Sequence, residues 1–121
     1  MALSDASMAF SGASMASLRI AALRALALAS RRLRAYDEAA GYWRQILDVR
    51  DCPRHVGREA SEALAIHHEH RVRDLGAAKA FALRGLESGT RWNEAVRYRL
   101  ARIERKIERK MSASDRGALL D

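Results

Sequence analysis

Apolar residues recur along the chain at steps of three and four, which is the spacing of an amphipathic α-helix and not the alternation of a strand. The first such segment follows Ser17, a residue type favoured at helix N-termini, and extends to residue 34. Its stripe consists of Leu18, Ala22, Leu26, Ala29 and Leu33. We expect this face of a first helix to be buried.

Four more segments have helical periodicity. The second helix begins at Tyr36, the third near Pro53, and the fourth ends at Ser88 and Gly89, where glycine favours a helix C-terminus. The predicted inward face of the second helix is Tyr36, Ala39, Trp43, Ile46 and Leu47. That of the fifth helix, residues 91–111, is Trp92, Val96, Leu100, Ile103, Ile107 and Met111.

Composition favours the same fold class, because Ala, Leu and Arg are common and only one proline is present in 121 residues. The sequence therefore predicts an all-α protein with one helical domain, residues 17–111. Residues 1–16 lack an apolar stripe and are expected to form a flexible arm, and residues 112–121 a frayed tail.

The second and fourth helices repeat with a constant offset of 39 residues, which aligns Tyr36 with Leu75, Ala39 with Ala78, and Leu47 with Leu86. The segments "YDEAAGYWRQIL" and "LGAAKAFALRGL" resemble second helices of tetratricopeptide repeats (TPRs). That resemblance implies two helix hairpins, 17–50 and 54–88, with residues 91–111 as a capping helix. The usual period is about 34 residues, so the ligand groove of that family is not assumed.

A narrower resemblance covers about residues 36–110. The segment "EALAIHHEHRVRDLGAAKAFALRGLE" and the basic "RLARIERKIERK" are similar to the helical C-terminal region of bacterial RNase H-like exonucleases. In those proteins a separate domain carries the acidic metal ligands, and nothing here corresponds to it. The resemblance thus implies a detached helical module without nuclease activity.

The formal net charge of +7 is concentrated near the two ends of the chain. Residues 17–34 contain five arginines and no acidic residue, and residues 91–110 contain eight basic residues against three glutamates. On the fifth helix the basic side chains gather beside the apolar stripe: Arg99, Arg102, Arg105, Lys106 and Arg109. They form either the solvated face of a capping helix or a surface for nucleic acid or an acidic partner.

The sequence "HHEH" at 67–70 suggests metal chemistry, but its spacing does not support it. In an HExxH zinc site the two histidines are four residues apart, whereas His67 and His70 are three apart; they could supply two ligands at most, and a third would have to come from elsewhere. On a helical wheel His67 lies within an apolar face and His68 at its edge, with Glu69 and His70 nearer the margin. We expect His67 and His68 to pack between helices, and neither a metal nor another cofactor is predicted.

Cys52 is the single cysteine, so no internal disulfide forms and a reducing compartment is expected. The Ala-rich N-terminus is interrupted by Arg19 and Arg24 and lacks a basic leader, so we expect a cytoplasmic protein without a membrane span. A mitochondrial-type transit peptide is the alternative interpretation of that segment.

These patterns favour a non-enzymatic scaffold or adaptor that binds a protein partner. The second hypothesis is a nucleic-acid-associated accessory module that uses the basic faces of the first and last helices, and a metal-dependent hydrolase is a distant third. Because two repeats are fewer than the three that stacked repeats usually need, a homodimer formed through an exposed helix face is also expected.

Overall fold

The computed structural model of the chain describes residues 2–86 and 93–120, with side-chain surroundings for residues 15–86 and 94–115. Within those ranges every regular element is helical, which confirms the all-α prediction. The helices are α1 (Ala2–Arg32), α2 (Tyr36–Asp48), α3 (Arg54–His67), α4 (Leu75–Leu86) and α5 (Asn93–Leu120). A π-helical turn, His68–Val72, follows α3 directly.

The first and last helices are longer than the apolar stripes indicated. Helix α1 begins at Ala2, before the predicted start at Ser17, and α5 continues past residue 111 to Leu120. Both extensions are rich in residues compatible with helix and contain no proline. The division into an arm, a domain and a tail stays a prediction, and the expected helix end at Ser88 lies outside the described residues, as does Trp92.

The chain divides into two compact units, residues 1–53 and 54–121. In the first unit α1 packs against α2, and in the second α4 packs against both α3 and α5. Of the helices that the structure describes, none combines the length and apolar character needed to cross a membrane.

Helix α1 buries a different face from the one predicted. Leu18, Leu26 and Leu33 are exposed, with 62%, 46% and 81% of their surface open to solvent, so the expectation that they are buried is wrong. Ala22 and Ala29 of the same stripe are exposed as well. The buried positions of α1 are Ile20, Leu23, Ala27 and Ser30. Both stripes have helical spacing, so periodicity alone does not distinguish the face that is buried.

Helix α2 buries the face that its pattern predicts. Ala39, Trp43 and Ile46 are buried, together with the neighbouring Ala40, while Tyr36 and Leu47 are half-buried. No side chain caps its first turn, but Asp37 and Glu38 lie there, where carboxylates interact favourably with the positive end of the helix dipole.

The second unit has its own apolar core. It consists of Ala65, Ala78, Ala82, Val96, Leu100 and Ile103, with Leu75, Phe81, Leu86 and Ile107 packed against it. The predicted stripe of α5 is thus confirmed from Val96 to Ile107, whereas Met111 is exposed. Helix α4 starts with a side-chain cap, because Oδ1 of Asp74 accepts a hydrogen bond from the backbone N–H of Ala77 at 3.1 Å.

Candidate functional site

The structure separates the five basic residues predicted on α5 into two groups. Arg99, Arg102 and Lys106 are half-buried and face α3 and the π-helical turn, where each is bound to a glutamate. Arg105 and Arg109 are exposed. The first three follow each other at steps of three and four and so share one side of the helix. The five residues therefore do not form one continuous free surface.

Glu69 is the centre of the first group. Its side chain is fully buried, and its two oxygens accept hydrogen bonds from Arg102 at 2.9 Å (Nε to Oε2) and 2.8 Å (Nη2 to Oε1). Nζ of Lys106 donates to Oε2 at 2.7 Å, and Nε2 of His70 lies 3.4 Å from Oε1. A paired arginine contact of this kind is among the stronger charged hydrogen-bond geometries in proteins.

These cations keep Glu69 ionised despite its burial. Removal from water by itself raises the pKa of a carboxyl group, but the hydrogen bonds from Arg102 and Lys106 and the nearby positive charges outweigh it and lower the pKa of Glu69 from 4.5 to about 2. The same contact raises the pKa of Arg102. One negative charge thus faces two permanent positive charges, and the surroundings of Glu69 keep a net positive charge.

A second ion pair joins α5 to α3 itself. Nη1 of Arg99 donates to Oε1 of Glu62 at 3.0 Å, and both side chains are mostly buried. Glu62 and Arg99 are 37 residues apart, as are Glu69 and Lys106. Two helices that run in the same direction rise by the same amount per residue, so residues that meet along them keep a constant offset in the sequence. The ion pairs therefore fix how α5 lies along α3 and the turn that follows it.

The histidines of the "HHEH" sequence have different surroundings from one another. His68 is buried and stacks on Phe81 of α4, with ring centroids 5.3 Å apart and an angle of 13° between the planes, which confirms its packing role. His67 is half-buried and meets the edge of the His68 ring at 5.4 Å. His70 is exposed, as expected.

The prediction for Glu69 is wrong, because the residue is buried and not at the margin of the helix. Helix α3 and its π-helical turn have two buried faces, and the wheel identified only the one that contains Val56, Ala60 and Leu64. The second face contains Ser61, Ala65 and His68 as well as Glu69. Among the residues described by the structure, no three His, Cys, Asp or Glu side chains are grouped so that they could hold a metal ion.

We call Glu69 and the three basic residues around it, Arg102, Lys106 and His70, the Glu69 cluster. A groove lies beside this cluster, between the start of α4 and the second half of α5. Its basic part, of about 490 Å³, is lined by Glu69, His70, Arg73, Leu75, Lys106 and Lys110. An adjoining part, of about 660 Å³, shares Arg73, Leu75 and Lys110 and has a more apolar lining that includes Val72, Ile107 and Met111. We call the two parts together the α4–α5 groove.

Two of its basic residues were not singled out from the sequence. Lys110 was detectable in principle, since it follows Lys106 by four residues and so lies on the same side of α5. Arg73 was not, because its position depends on the turn between the π-helical segment and α4. There its backbone has a φ of 61°, in the left-handed region that non-glycine residues rarely adopt.

Comparison of the chain with protein families, with curated proteins and with solved structures found no match. No relative therefore supplies an activity or a binding partner by analogy. What bears on function is the chemistry of the chain itself: its exposed apolar side chains, its charges and its grooves.

Proposed function

We propose that the chain is a non-enzymatic helical scaffold that binds a protein partner through the exposed face of α1. The observation that carries the proposal is a line of exposed apolar residues, which we call the α1 stripe: Met15, Leu18, Ala22, Leu26, Ala29 and Leu33. Their steps of three, four, four, three and four residues keep them on one side of the helix and of the turn after it.

The size of the α1 stripe suits another helix. Eighteen residues separate Met15 from Leu33, which corresponds to about 27 Å along a helix axis. Scattered surface leucines need no explanation, but a contiguous apolar line on a protein surface is typical of a binding site. A partner helix with leucine-like residues at the same spacing would cover the line along its whole length.

The charges around the stripe favour an acidic partner. On a helical wheel Arg19 and Arg32 lie at its two edges. No acidic residue occurs in residues 17–34, so the field along this part of α1 is positive. A second copy of the chain would bring arginines against arginines, whereas a helix with Asp or Glu beside its apolar residues would pair with them. The proposed partner is therefore an acidic amphipathic helix.

The TPR-like arrangement belongs to the same proposal. Packing of α1 on α2 and of α3 on α4 supports it, as does the offset of 39 residues between α2 and α4 in the sequence. Stacked helical repeats present extended surfaces to protein partners. Helix α5, packed against α4, would be the capping helix of such a stack.

The nucleic-acid hypothesis has less support. Three of the five basic residues expected to bind phosphates, Arg99, Arg102 and Lys106, are already bound to glutamates, so only Arg105 and Arg109 of that predicted set are exposed. Phosphate contacts release counterions, so binding to duplex or single-stranded nucleic acid that weakens steeply with salt would favour this hypothesis over a protein partner.

The test uses two synthetic helical peptides of 18 residues with the same leucine stripe, one flanked by glutamates and the other by lysines. We expect the acidic peptide to bind the full chain, and Leu26→Asp to weaken that binding by about tenfold or more, because it buries a charge in the contact. The matched control is Ala21→Asp, which adds the same charge at an exposed position of α1 outside the stripe.

Equal binding of both peptides, or equal loss in both variants, would contradict the proposal. Light scattering provides a second decision. A dimer of the chain that Leu26→Asp dissociates and Ala21→Asp does not would mean that the occupant of the stripe is a second copy, and the acidic partner would be rejected.

A further inference from the structure

The α4–α5 groove combines a basic part with a more apolar part. One part is basic, because its lining includes Arg73, Lys106 and Lys110 and a single carboxylate, the buried Glu69. The other part is more apolar, and two of its side chains are largely exposed, Val72 at 51% and Met111 at 63%. Arg73 and Lys110 form no ion pair within the part of the chain that the structure describes.

We propose that this groove binds a short acidic segment of a protein, in which one or two carboxylates are followed by apolar side chains. This site lies in the second unit and does not depend on the α1 stripe. The carboxylates would pair with Arg73 and Lys110 and extend the positive cluster around Glu69, and the apolar side chains would cover Val72, Leu75 and Met111.

The order of the two chemistries follows from the distribution of charge. Lys106 and His70 line only the basic part, and Glu69 already binds both of them. Asp74 lines only the apolar part, where its side chain caps α4. A carboxylate next to Asp74 would be repelled, so the acidic end of the segment belongs near Lys106 and the apolar end near Met111.

The length of the groove limits the segment. Its wall on α5 extends from Lys106 to Ser114, which is about 12 Å along the helix axis. An extended peptide covers that distance with about four residues at roughly 3.3 Å each. The occupant is therefore a tetrapeptide-sized motif and not a long helix of the kind proposed for α1.

The apolar lining distinguishes this occupant from a nucleic acid. Phosphate backbones need basic side chains, and single-stranded bases also need aromatic rings on which to stack. Within the described lining no Phe, Tyr or Trp is present, and the one aromatic ring is the imidazole of His70, which lies beside Glu69. Exposed valine and methionine next to paired cations match an acidic and apolar peptide better.

Arg73 lies at a turn position whose backbone would also suit glycine. A non-glycine residue in the left-handed region costs about 1 kcal/mol or more, so glycine would be favoured for the fold alone. Arg34 and Asp51 have the same conformation, so the strain by itself does not mark a binding site. The arginine at this turn supplies a positive charge to the rim of the groove, which glycine could not do.

Because glycine suits the left-handed backbone of residue 73, Arg73→Gly removes the charge without destabilising the fold, which separates an effect on binding from an effect on folding. An array of tetrapeptides with two acidic residues followed by two apolar residues would be probed with the full chain, beside arrays in which the acidic residues are replaced by lysine or the apolar ones by serine. We expect binding to the first array only. For the best peptide, Arg73→Gly and Lys110→Glu should each weaken binding by about tenfold, as expected for the loss or reversal of one charge contact.

The matched controls make the same changes outside the groove. Arg34→Gly replaces an arginine with the same φ of 61° in the first unit, and Arg109→Glu reverses an exposed charge next to Lys110. Both should change binding by less than about twofold. In addition, Arg73→Gly should leave the melting temperature unchanged or raise it, because glycine relieves the backbone strain.

Three results would overturn the proposal: no binding to the acidic–apolar array, equal binding to the serine-substituted array, or equal loss in the control variants. Competition provides one more. If a twelve-nucleotide oligothymidine or vesicles of anionic lipid displace the best peptide at lower concentration than the unlabelled peptide itself does, the groove belongs to a nucleic acid or a membrane surface. Loss of α1 peptide binding in Leu26→Asp would leave this result unaffected, so the two proposals fail separately.

Discussion

The two units of this protein differ in which helix faces they bury and which they leave exposed. In the first unit α1 has apolar residues on two faces and buries the one that contains Ile20, Leu23 and Ala27, so that the leucines of the other face remain exposed. In the second unit α5 has one apolar face, and the side next to it is occupied by arginines and a lysine bound to buried or half-buried glutamates. The first unit leaves a line of apolar side chains exposed along α1, and the second leaves a groove with basic side chains beside its ion pairs.

The difference shows that a count of basic residues does not identify a basic surface. Both regions stand out in the sequence as positively charged, yet Glu62 and Glu69 neutralise much of the charge on α5. In the first unit residues 17–34 contain no acidic residue, and the nearest acidic residues in the sequence are Asp37 and Glu38, in the first turn of α2. The free charge of the second unit is therefore displaced to residues such as Lys110, at the edge of the ion-pair cluster.

The sharpest test of the α1 assignment compares two leucines of the same helix. Leu23→Ala should lower the free energy of unfolding by about 3 kcal/mol, because it removes a buried side chain and leaves a cavity. Leu18→Ala should change it by less than about 0.5 kcal/mol, since that leucine is exposed. Urea unfolding measures both, and the reverse order would mean that α1 buries its other face.

The second unit depends on its buried carboxylate. Glu69→Gln should lower the free energy of unfolding by about 2.5 kcal/mol, because Arg102 and Lys106 lose the negative charge that they both bind. Both cations are about one-third exposed, so water compensates part of the loss. Chemical denaturation provides the measurement.

The control for this variant is Glu104→Gln. Glu104 is paired with Lys79 at 3.6 Å, and both side chains are about half exposed. Exposed pairs contribute little, so a change below about 0.5 kcal/mol is expected. Similar losses in the two variants would indicate that Glu69 is not buried among its cations in solution.

The pH dependence of stability should show the same contact with a smaller effect. The folded chain holds the pKa of Glu69 at about 2, below its ordinary value of 4.5, so the unfolded chain binds the proton first. The stabilisation is complete above about pH 4.5 and disappears as the pH falls towards 2. Between pH 7 and pH 3 the wild type should lose about 2 kcal/mol more than Glu69→Gln. Equal slopes for the two proteins would exclude an ionised, paired Glu69.

Local periodicity was sufficient wherever a helix has a single apolar face. The faces of α2 and α5 agree with their stripes, because only one side of each helix has continuous hydrophobic residues. For α1 the same rule failed, because the helix has two apolar faces with helical spacing, one with Leu18 and Leu26 and the other with Ile20 and Leu23. The choice between the two stripes depends on the shape of the neighbouring helix, which the periodicity of α1 does not contain.

The Glu69 cluster was out of reach for a different reason. Its members are 33 and 37 residues apart in the sequence, and their meeting depends on how α5 lies along α3. The histidines beside Glu69 in "HHEH" suggest a metal site, whereas its cationic partners Arg102 and Lys106 lie on another helix. The matching intervals Glu62 to Glu69 and Arg99 to Lys106, both of seven residues, were the available signal.

The π-helical turn at His68–Val72 has a consequence for how this sequence can change. A π-turn closes its hydrogen bonds over one residue more than an α-turn does. Removing any one residue between Glu69 and Arg73 would thus permit an ordinary helix with no loss of backbone hydrogen bonding. It would also rotate everything that follows relative to Glu69, so Arg73 and the start of α4 would leave the groove. The shape of the groove therefore depends on the number of residues in this turn as well as on which residues they are. An insertion or deletion here would disturb the groove more than most substitutions would.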